Sequence, residues 1–161
     1  RDEIRDDLGG FNMEVVFRGG DKALPGENTD LYIADTMGEL GLLYRSVPIA
    51  CIGRSFSEDG GGGHNPIEAA QLNCAVLSGP RVQNLQDIYD EMEEHGAVHR
   101  VQDKNHLAQV LGSLFEDPNT LEKHIRTASV FAKDKSQVID TVMQHLSPLL
   151  QNAFLRDRAA S

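Results

Sequence analysis

A run of four glycines leads directly into the predicted start of a helix, and this stretch is the best candidate in the chain for binding an anion. The segment reads Gly60, Gly61, Gly62, Gly63, His64, Asn65, Pro66, Ile67, Glu68. Without side chains, glycine amides can approach a ligand closely and adopt positive φ. Asn65 is a typical N-cap and Pro66 suits the first helical position, so the order predicts a helix from here to about Asn73. Unpaired N–H groups and the helix dipole at such a start both favour negative charge.

Glu68 adds a carboxylate in the first turn of that helix. A ribose has two adjacent hydroxyls, and both can donate to one carboxylate, so the combination suits a nucleotide. The residues also fit a plainer interpretation, in which a flexible loop precedes a well-capped helix and Glu68 only complements the helix dipole. Composition and spacing alone leave both interpretations open.

The overall composition limits the classes of function. The chain has 161 residues and a formal net charge of −10, which argues against nonspecific nucleic-acid binding through a basic surface. Cys51 and Cys74 fit neither a disulfide framework nor a metal-ligand spacing, and their apolar neighbours predict that both are buried in a reducing compartment. No apolar run is long enough to span a bilayer, and no signal peptide is evident. The six histidines are scattered along the chain, which is typical of surface residues rather than a metal site.

Short apolar runs alternate with amphipathic stretches along the chain. Strands are predicted at 14–18, 31–35, 48–52, 75–78 and 97–101. Helices are predicted at 1–8, from about 36, in the stretch that ends near 73, from Asn84 to about 95, at 103–114, at 117–128 and at about 135–152, the last with Val138, Val142, Leu146 and Leu149 along one stripe. Asn84 and Asp103 are expected to cap their helices and Asp117 to open the next one, while Tyr89 is expected among the apolar residues of the helix after Asn84. This alternation predicts an α/β, Rossmann-like parallel sheet with helices on both faces, in one domain over 1–161. The loops 35–39 and 53–68 each follow a strand, and we expect both to open on the ligand-binding edge of the sheet.

Three motifs resemble one protein family. They are 35–44 (DTMGELGLLY), 63–70 (GHNPIEAA) and Gly79-Pro80 followed by Asn84. This pattern resembles the 3-deoxy-D-manno-octulosonic acid (Kdo) transferases, two-domain glycosyltransferases of the GT-B fold. The resemblance runs over essentially the whole chain and corresponds to most of their C-terminal, nucleotide-sugar-binding domain.

The resemblance also implies which residues bind cytidine monophosphate (CMP). The first contact would be Met37, Gly38 and Glu39, and the second would be Asn65, Pro66, Ile67 and Glu68. The phosphate would lie at the N–H groups around Gly63 to Pro66 and the ribose on Glu68. His64 could also reach the phosphate, or it could be an ordinary packed or solvent-facing residue. For Glu39 we favour stabilisation of a helix start, with the backbone making the ligand contact.

By the same resemblance, the parent enzyme transfers Kdo from CMP-Kdo to a lipid A precursor, with inversion, at the cytoplasmic face of the bacterial inner membrane. The general base would lie in an N-terminal acceptor domain, so we expect no catalytic residue, metal or cofactor in this chain. The sequence starts at Arg1 without an initiator Met, which suggests a piece of a longer protein. We expect this piece to be soluble and inactive by itself.

The sequence departs from the family pattern in the glycine loop. Arg54 stands where the family usually has a second glycine, the stretch from Ser55 to Gly62 is longer than usual, and Arg81 follows Gly79-Pro80. Arg54 and Arg81 could bind the carboxylate of the donor sugar, although surface ion pairs are the expectation we favour for both. Two alternative functions remain: a GT-B transferase that uses a UDP-sugar, and a non-catalytic nucleotide-binding module.

Overall fold

The computed structural model describes the backbone of residues 2–19 and 23–159, with side chains except those of 137–143 and 149–159. The chain folds into two compact units, Arg1–Leu40 and Gly41–Ser161. The elements, in chain order, are α1 (Asp2–Leu8), β1 (Val15–Phe17), β2 (Leu31–Ile33), α2 (Leu40–Ser46), β3 (Ile49–Ile52), α3 (Ile67–Gln71), β4 (Ala75–Ser78), a 3₁₀ turn (Gln83–Leu85), α4 (Gln86–Glu94), β5 (His99–Arg100), α5 (Lys104–Glu116) and α6 (Pro118–Ala159).

The first unit contains α1 and a parallel pair of strands. β1 and β2 pair with Val15 opposite Leu31 and Phe17 opposite Ile33. At the end of β1, the guanidinium of Arg18 donates to both carboxylate oxygens of Glu39, each at 2.6 Å. This ion pair ties the end of the first strand to the segment that precedes α2.

The second unit is built on a parallel three-stranded sheet in the order β3-β4-β5. β4 is the central strand and all four of its residues are buried, because α3 and α6 both pack on it. The short helix α3 meets α6 through small side chains, and Ala69, Ala70, Ala128 and Ala132 are all fully buried. Alanines let two helix backbones approach closely at the density of a protein interior. The alternation of parallel strands and helices confirms the predicted α/β class.

Several local predictions hold and others need correction. Asp103 caps α5 as predicted, with its carboxylate accepting from the N–H groups of Asn105 and His106. The two helices predicted at 117–128 and about 135–152 are instead one continuous helix, α6. No Gly or other stop signal separates the two patterns, so the helical hydrogen bonds continue through. The predicted stripe of Val138, Val142 and Leu149 lies outside the side chains that the structure describes, and Leu146 is exposed.

Two predictions about the sheet are also corrected. The described strands form two sheets, whereas the sequence predicted one. Cys74 is buried as predicted, but Cys51 is exposed. β3 is an edge strand of its sheet and its residues alternate in burial, so Cys51 lies on the uncovered face between buried Ala50 and Ile52.

Among the residues that the structure describes, no helix combines the length and apolar character needed to cross a bilayer.

Candidate functional site

The glycine loop, by which we mean residues 53–65, is held by two side chains from the segment after β4. The amide of Asn84 donates to the carbonyl of Gly63 at 2.8 Å, and the hydroxyl of Tyr89 donates to the carbonyl of His64 at 2.7 Å. Tyr89 is completely buried in the core, and burial raises the pKa of its hydroxyl, so the group remains a donor. The loop backbone is therefore fixed from its carbonyl side.

The sequence predicts different roles for these two side chains. Asn84 is expected to cap a helix, but it lies within the 3₁₀ turn and its amide reaches across to the loop. Tyr89 is expected only as one of the apolar residues on α4. The sequence signal that could have indicated the hydrogen bond of Tyr89 is the presence of a tyrosine rather than a phenylalanine at a core position, since a buried hydroxyl needs a partner.

The glycines are required by the space around the loop. Gly62 has φ of +67°, and a Cβ there would lie 1.9 Å from the Asn84 side-chain oxygen. A Cβ on Gly63 would lie 3.2–3.3 Å from Val82, Ser55 and the Tyr89 hydroxyl. Side chains at either position would push the loop away from the residues that hold it.

The backbone N–H groups at the end of the glycine loop are hydrogen-bond donors that the loop itself does not use. Within the described parts of the chain, no group accepts a hydrogen bond from the backbone N–H of Gly63, His64 or Asn65. The side-chain oxygen of Asn65 accepts from the N–H of Ile67 at 2.9 Å, as expected of an N-cap side chain, and Pro66, in the αR conformation, directly precedes α3. Three neighbouring amides at the start of a helix are suited to an oxyanion.

Glu68 follows in the first turn of α3 and its side chain is exposed. No described residue donates a hydrogen bond to its carboxylate. A Cβ on Gly41 would lie 3.9 Å from Oε1 of Glu68, so the carboxylate is beside the first turn of α2. It is accessible to a ligand and not committed to a partner of its own.

The other residues predicted to contact CMP, Met37, Gly38 and Glu39, lie in the first unit. Met37 is 97% exposed and Gly38 has φ of +82°, a conformation that favours glycine. The Glu39 carboxylate accepts from Arg18 and from the hydroxyl of Thr36. That side chain therefore already has partners within the first unit.

Both arginines of the loop region make ion pairs. Nη2 of Arg54 lies 3.2 Å from Asp59, and Nη2 of Arg81 lies 2.7 Å from Glu58. Nη1 of Arg81 also donates to the backbone carbonyl of Phe56 at 2.7 Å. Arg81 is thus attached to the loop backbone, whereas the Arg54 side chain donates hydrogen bonds only to a carboxylate among the described residues.

Three of the histidines that are scattered in sequence meet in space. Nε2 of His99 lies 3.0 Å from Nε2 of His124, and both line a cavity of about 280 Å³ together with His106. Burial lowers the pKa of both His99 and His124. His64 is exposed, which both interpretations of this residue allow. Nowhere in the described residues do three His, Cys, Asp or Glu side chains form a group that could hold a metal ion.

Comparison with known proteins gives consistent matches, although no protein-family model matches the chain. A probable mitochondrial 3-deoxy-D-manno-octulosonic acid transferase of Arabidopsis thaliana is 35% identical over 131 residues, which cover 80% of this chain and 29% of that protein. The 3-deoxy-D-manno-octulosonic acid transferase of Rickettsia conorii is 32% identical over 129 residues, covering 79% of this chain and 27% of that protein. The chain thus spans less than a third of the length of these curated relatives.

A solved structure shares both the sequence similarity and the fold. The crystal structure of the C-terminal CMP-Kdo binding domain of WaaA from Acinetobacter baumannii superimposes with a TM-score of 0.71 and 30% identity, over 79% of this chain and 65% of that one. The similarities in sequence and in fold agree with each other, and the chain belongs to the family of the Kdo transferases.

Proposed function

We propose that this chain is the donor-binding domain of a Kdo transferase and that it binds the CMP part of CMP-Kdo. The observation that carries the proposal is the similarity in sequence and fold to a domain described as binding CMP-Kdo. The local geometry supports it, because unused amides and a free carboxylate lie next to each other at the start of α3.

Each group has a part in the proposed binding. The N–H groups of Gly63, His64 and Asn65 bind the phosphate, which matches the preference of such amides for an oxyanion. The carboxylate of Glu68 accepts from the two ribose hydroxyls. Pro66 and Ile67 fix the start of the helix. The backbone of Met37, Gly38 and Glu39 supplies the other CMP contact.

For the whole enzyme we propose transfer of Kdo from CMP-Kdo to a lipid A precursor in a bacterial cell, at the cytoplasmic face of the inner membrane. Its acceptor site and general base belong to an N-terminal domain of the GT-B architecture. The donor domain would stabilise the charge that develops on the leaving phosphate through backbone N–H groups. This chain alone should therefore bind CMP and have no transferase activity.

A matched pair of variants tests the binding site. Glu68→Gln removes a carboxylate that has no partner in the described residues, and Glu39→Gln removes one that is paired with Arg18. We expect Glu68→Gln to weaken CMP binding, measured by titration calorimetry, by ~1.5–3 kcal/mol, the value of a hydrogen bond to a charged group. The free energy of unfolding should stay unchanged in this variant.

The control should behave in the opposite way. Glu39→Gln should lower the free energy of unfolding and leave the ribose contact intact. If Glu68→Gln binds CMP as tightly as the unmodified chain does, the assignment of the ribose hydroxyls to Glu68 is wrong. If UDP binds as tightly as CMP, the proposed preference for a CMP-linked donor is wrong.

A further inference from the structure

The glycine loop carries two arginine–carboxylate pairs that differ in how firmly they are held. Arg81 donates to Glu58 at 2.7 Å and to the carbonyl of Phe56 at 2.7 Å, and its own N–H donates to the carbonyl of Ser55. Arg81 therefore fastens the loop through backbone contacts. Its replacement would be expected to alter the loop itself.

Arg54 is held only by a carboxylate. Its Nε and Nη2 both donate to one oxygen of Asp59, at 3.3 and 3.2 Å, and both side chains are about half exposed, at 47% and 49%. Nη1 of Arg54 has no acceptor in the described part of the chain. Long hydrogen bonds between exposed partners are easily exchanged, because each partner can turn to solvent or to another charge.

The guanidinium of Arg54 lies directly against the glycine run. A Cβ on Gly61 would be 1.9 Å from Nη2 and 2.2 Å from Cζ of Arg54, so this side chain would have to shift to make room for any other residue there. Arg54 itself has φ of +67°, in the left-handed region that favours glycine. The chain thus keeps an arginine at a strained position, with its side chain against a glycine two residues before Gly63, whose amide is unused.

The carboxylate of Asp59 binds both Arg54, through one oxygen, and the glycine run. Its other oxygen accepts from the N–H of Gly61 at 2.9 Å, and this hydrogen bond, together with Arg54, lowers the pKa of the carboxyl. Asp59 therefore brings a negative charge into contact with the glycine run and with the guanidinium of Arg54.

We propose that Arg54 binds the donor and that Asp59 pairs with its guanidinium when no ligand is present. When the donor binds, Arg54 leaves Asp59 and pairs with an oxyanion of the donor. This inference rests on the proposed function. The oxyanion is the phosphate of CMP or the carboxylate of the sugar. Arg81, with its backbone contacts, does not take this role.

The test compares three variants of the whole chain with three probes, by titration calorimetry. The variants are Arg54→Gln, Asp59→Asn and the double variant; asparagine keeps an oxygen for the N–H of Gly61 while it removes the charge. The probes are cytidine, CMP and CMP-Kdo. We expect Asp59→Asn to bind the anionic probes several-fold more tightly, and Arg54→Gln to bind them several-fold more weakly.

The double variant should match Arg54→Gln, because Asp59 acts only through Arg54. Cytidine, which has no anionic group, should bind all chains equally. If the variants already change the affinity for CMP, Arg54 binds the phosphate. If they change only the affinity for CMP-Kdo, Arg54 binds the carboxylate of the sugar.

Other outcomes overturn the proposal. If Asp59→Asn binds CMP and CMP-Kdo no more tightly than the parent chain, Asp59 is not a competitor. If Arg54→Gln binds them normally while Glu68→Gln is impaired, the proposed function stands and the role of Arg54 is wrong. If the unmodified chain binds neither CMP nor CMP-Kdo, both the proposed function and the role of Arg54 are wrong.

Discussion

The hydroxyl of Tyr89 links the core of the second unit to the glycine loop, and Tyr89→Phe tests that link. The ring is fully buried and would keep its packing, while the hydrogen bond of 2.7 Å to the carbonyl of His64 would be lost. We therefore expect a loss of about 1 kcal/mol in the free energy of unfolding, the usual net value of a hydrogen bond.

Two measurements follow from that value. A change of ~1 kcal/mol should lower the Tm by about 2–4 °C for a chain of this size, by differential scanning calorimetry. The free loop should also become more mobile, so that CMP must order it on binding. The penalty cannot exceed the lost ~1 kcal/mol, which limits the loss of CMP affinity to about fivefold.

Tyr44 provides a matched control in the same unit. It is half-buried and packs against the core, but no described residue accepts a hydrogen bond from its hydroxyl. Tyr44→Phe should leave the free energy of unfolding within about 0.5 kcal/mol of that of the unmodified chain. It is a control for stability only, because the Tyr44 hydroxyl interacts electrostatically with Glu68. If Tyr89→Phe is as stable as Tyr44→Phe and binds CMP as tightly as the unmodified chain, the hydroxyl does not hold the loop and the reasoning fails.

Three further predictions concern stability, measured by urea denaturation. Gly79→Ala should destabilise by ~1–3 kcal/mol or more, because a Cβ there would lie 2.5 Å from the backbone oxygen of Ser55; a normal stability would show that the loop yields freely. Gly112→Ala, inside α5 with nothing within 4 Å of the new Cβ, should instead stabilise by about 0.5–1 kcal/mol, and destabilisation would contradict the open space around that position. Burial lowers the pKa of both His99 and His124, so the unfolded chain binds protons first as the pH falls below the ordinary histidine pKa of 6.5. The stability should therefore fall with decreasing pH in that range, and His124→Gln should reduce the slope; an unchanged slope would rule out this contact as its source.

The sequence predicted the fold class and most elements because their signals are local. Asp103 and Asp117 cap helices where predicted, since a side-chain oxygen next to free N–H groups needs no distant partner. The division of the strands over two sheets was missed, because strand pairing depends on long-range contacts that an apolar run does not encode. Cys51 was misjudged for the same reason, since an edge strand and a central strand can have equally apolar sequences.

The site shows the same limit. The order of residues from Gly60 to Glu68 predicted a loop with free amides and a helix start, and both are present. The side chains that hold the loop, Asn84 and Tyr89, come from more than twenty residues further along the chain. Their local context favoured a helix cap and a core residue, and only the folded chain brings them to the carbonyls of the loop.

An acidic chain can bind an anionic nucleotide here because the charges of the loop region are balanced locally. Arg54 with Asp59 and Arg81 with Glu58 form two neutral pairs around the glycine run, which leaves the backbone amides as the nearest uncompensated dipoles. The other charges that make up the net −10 are spread over the chain, and charges further away than about 10 Å are largely screened at 0.1 M salt. The local field of the amides, and of Arg54 once it has left Asp59, therefore decides whether an oxyanion is attracted, rather than the net charge. For that reason we expect the charge of Asp59 to influence CMP binding more than that of a distant surface carboxylate.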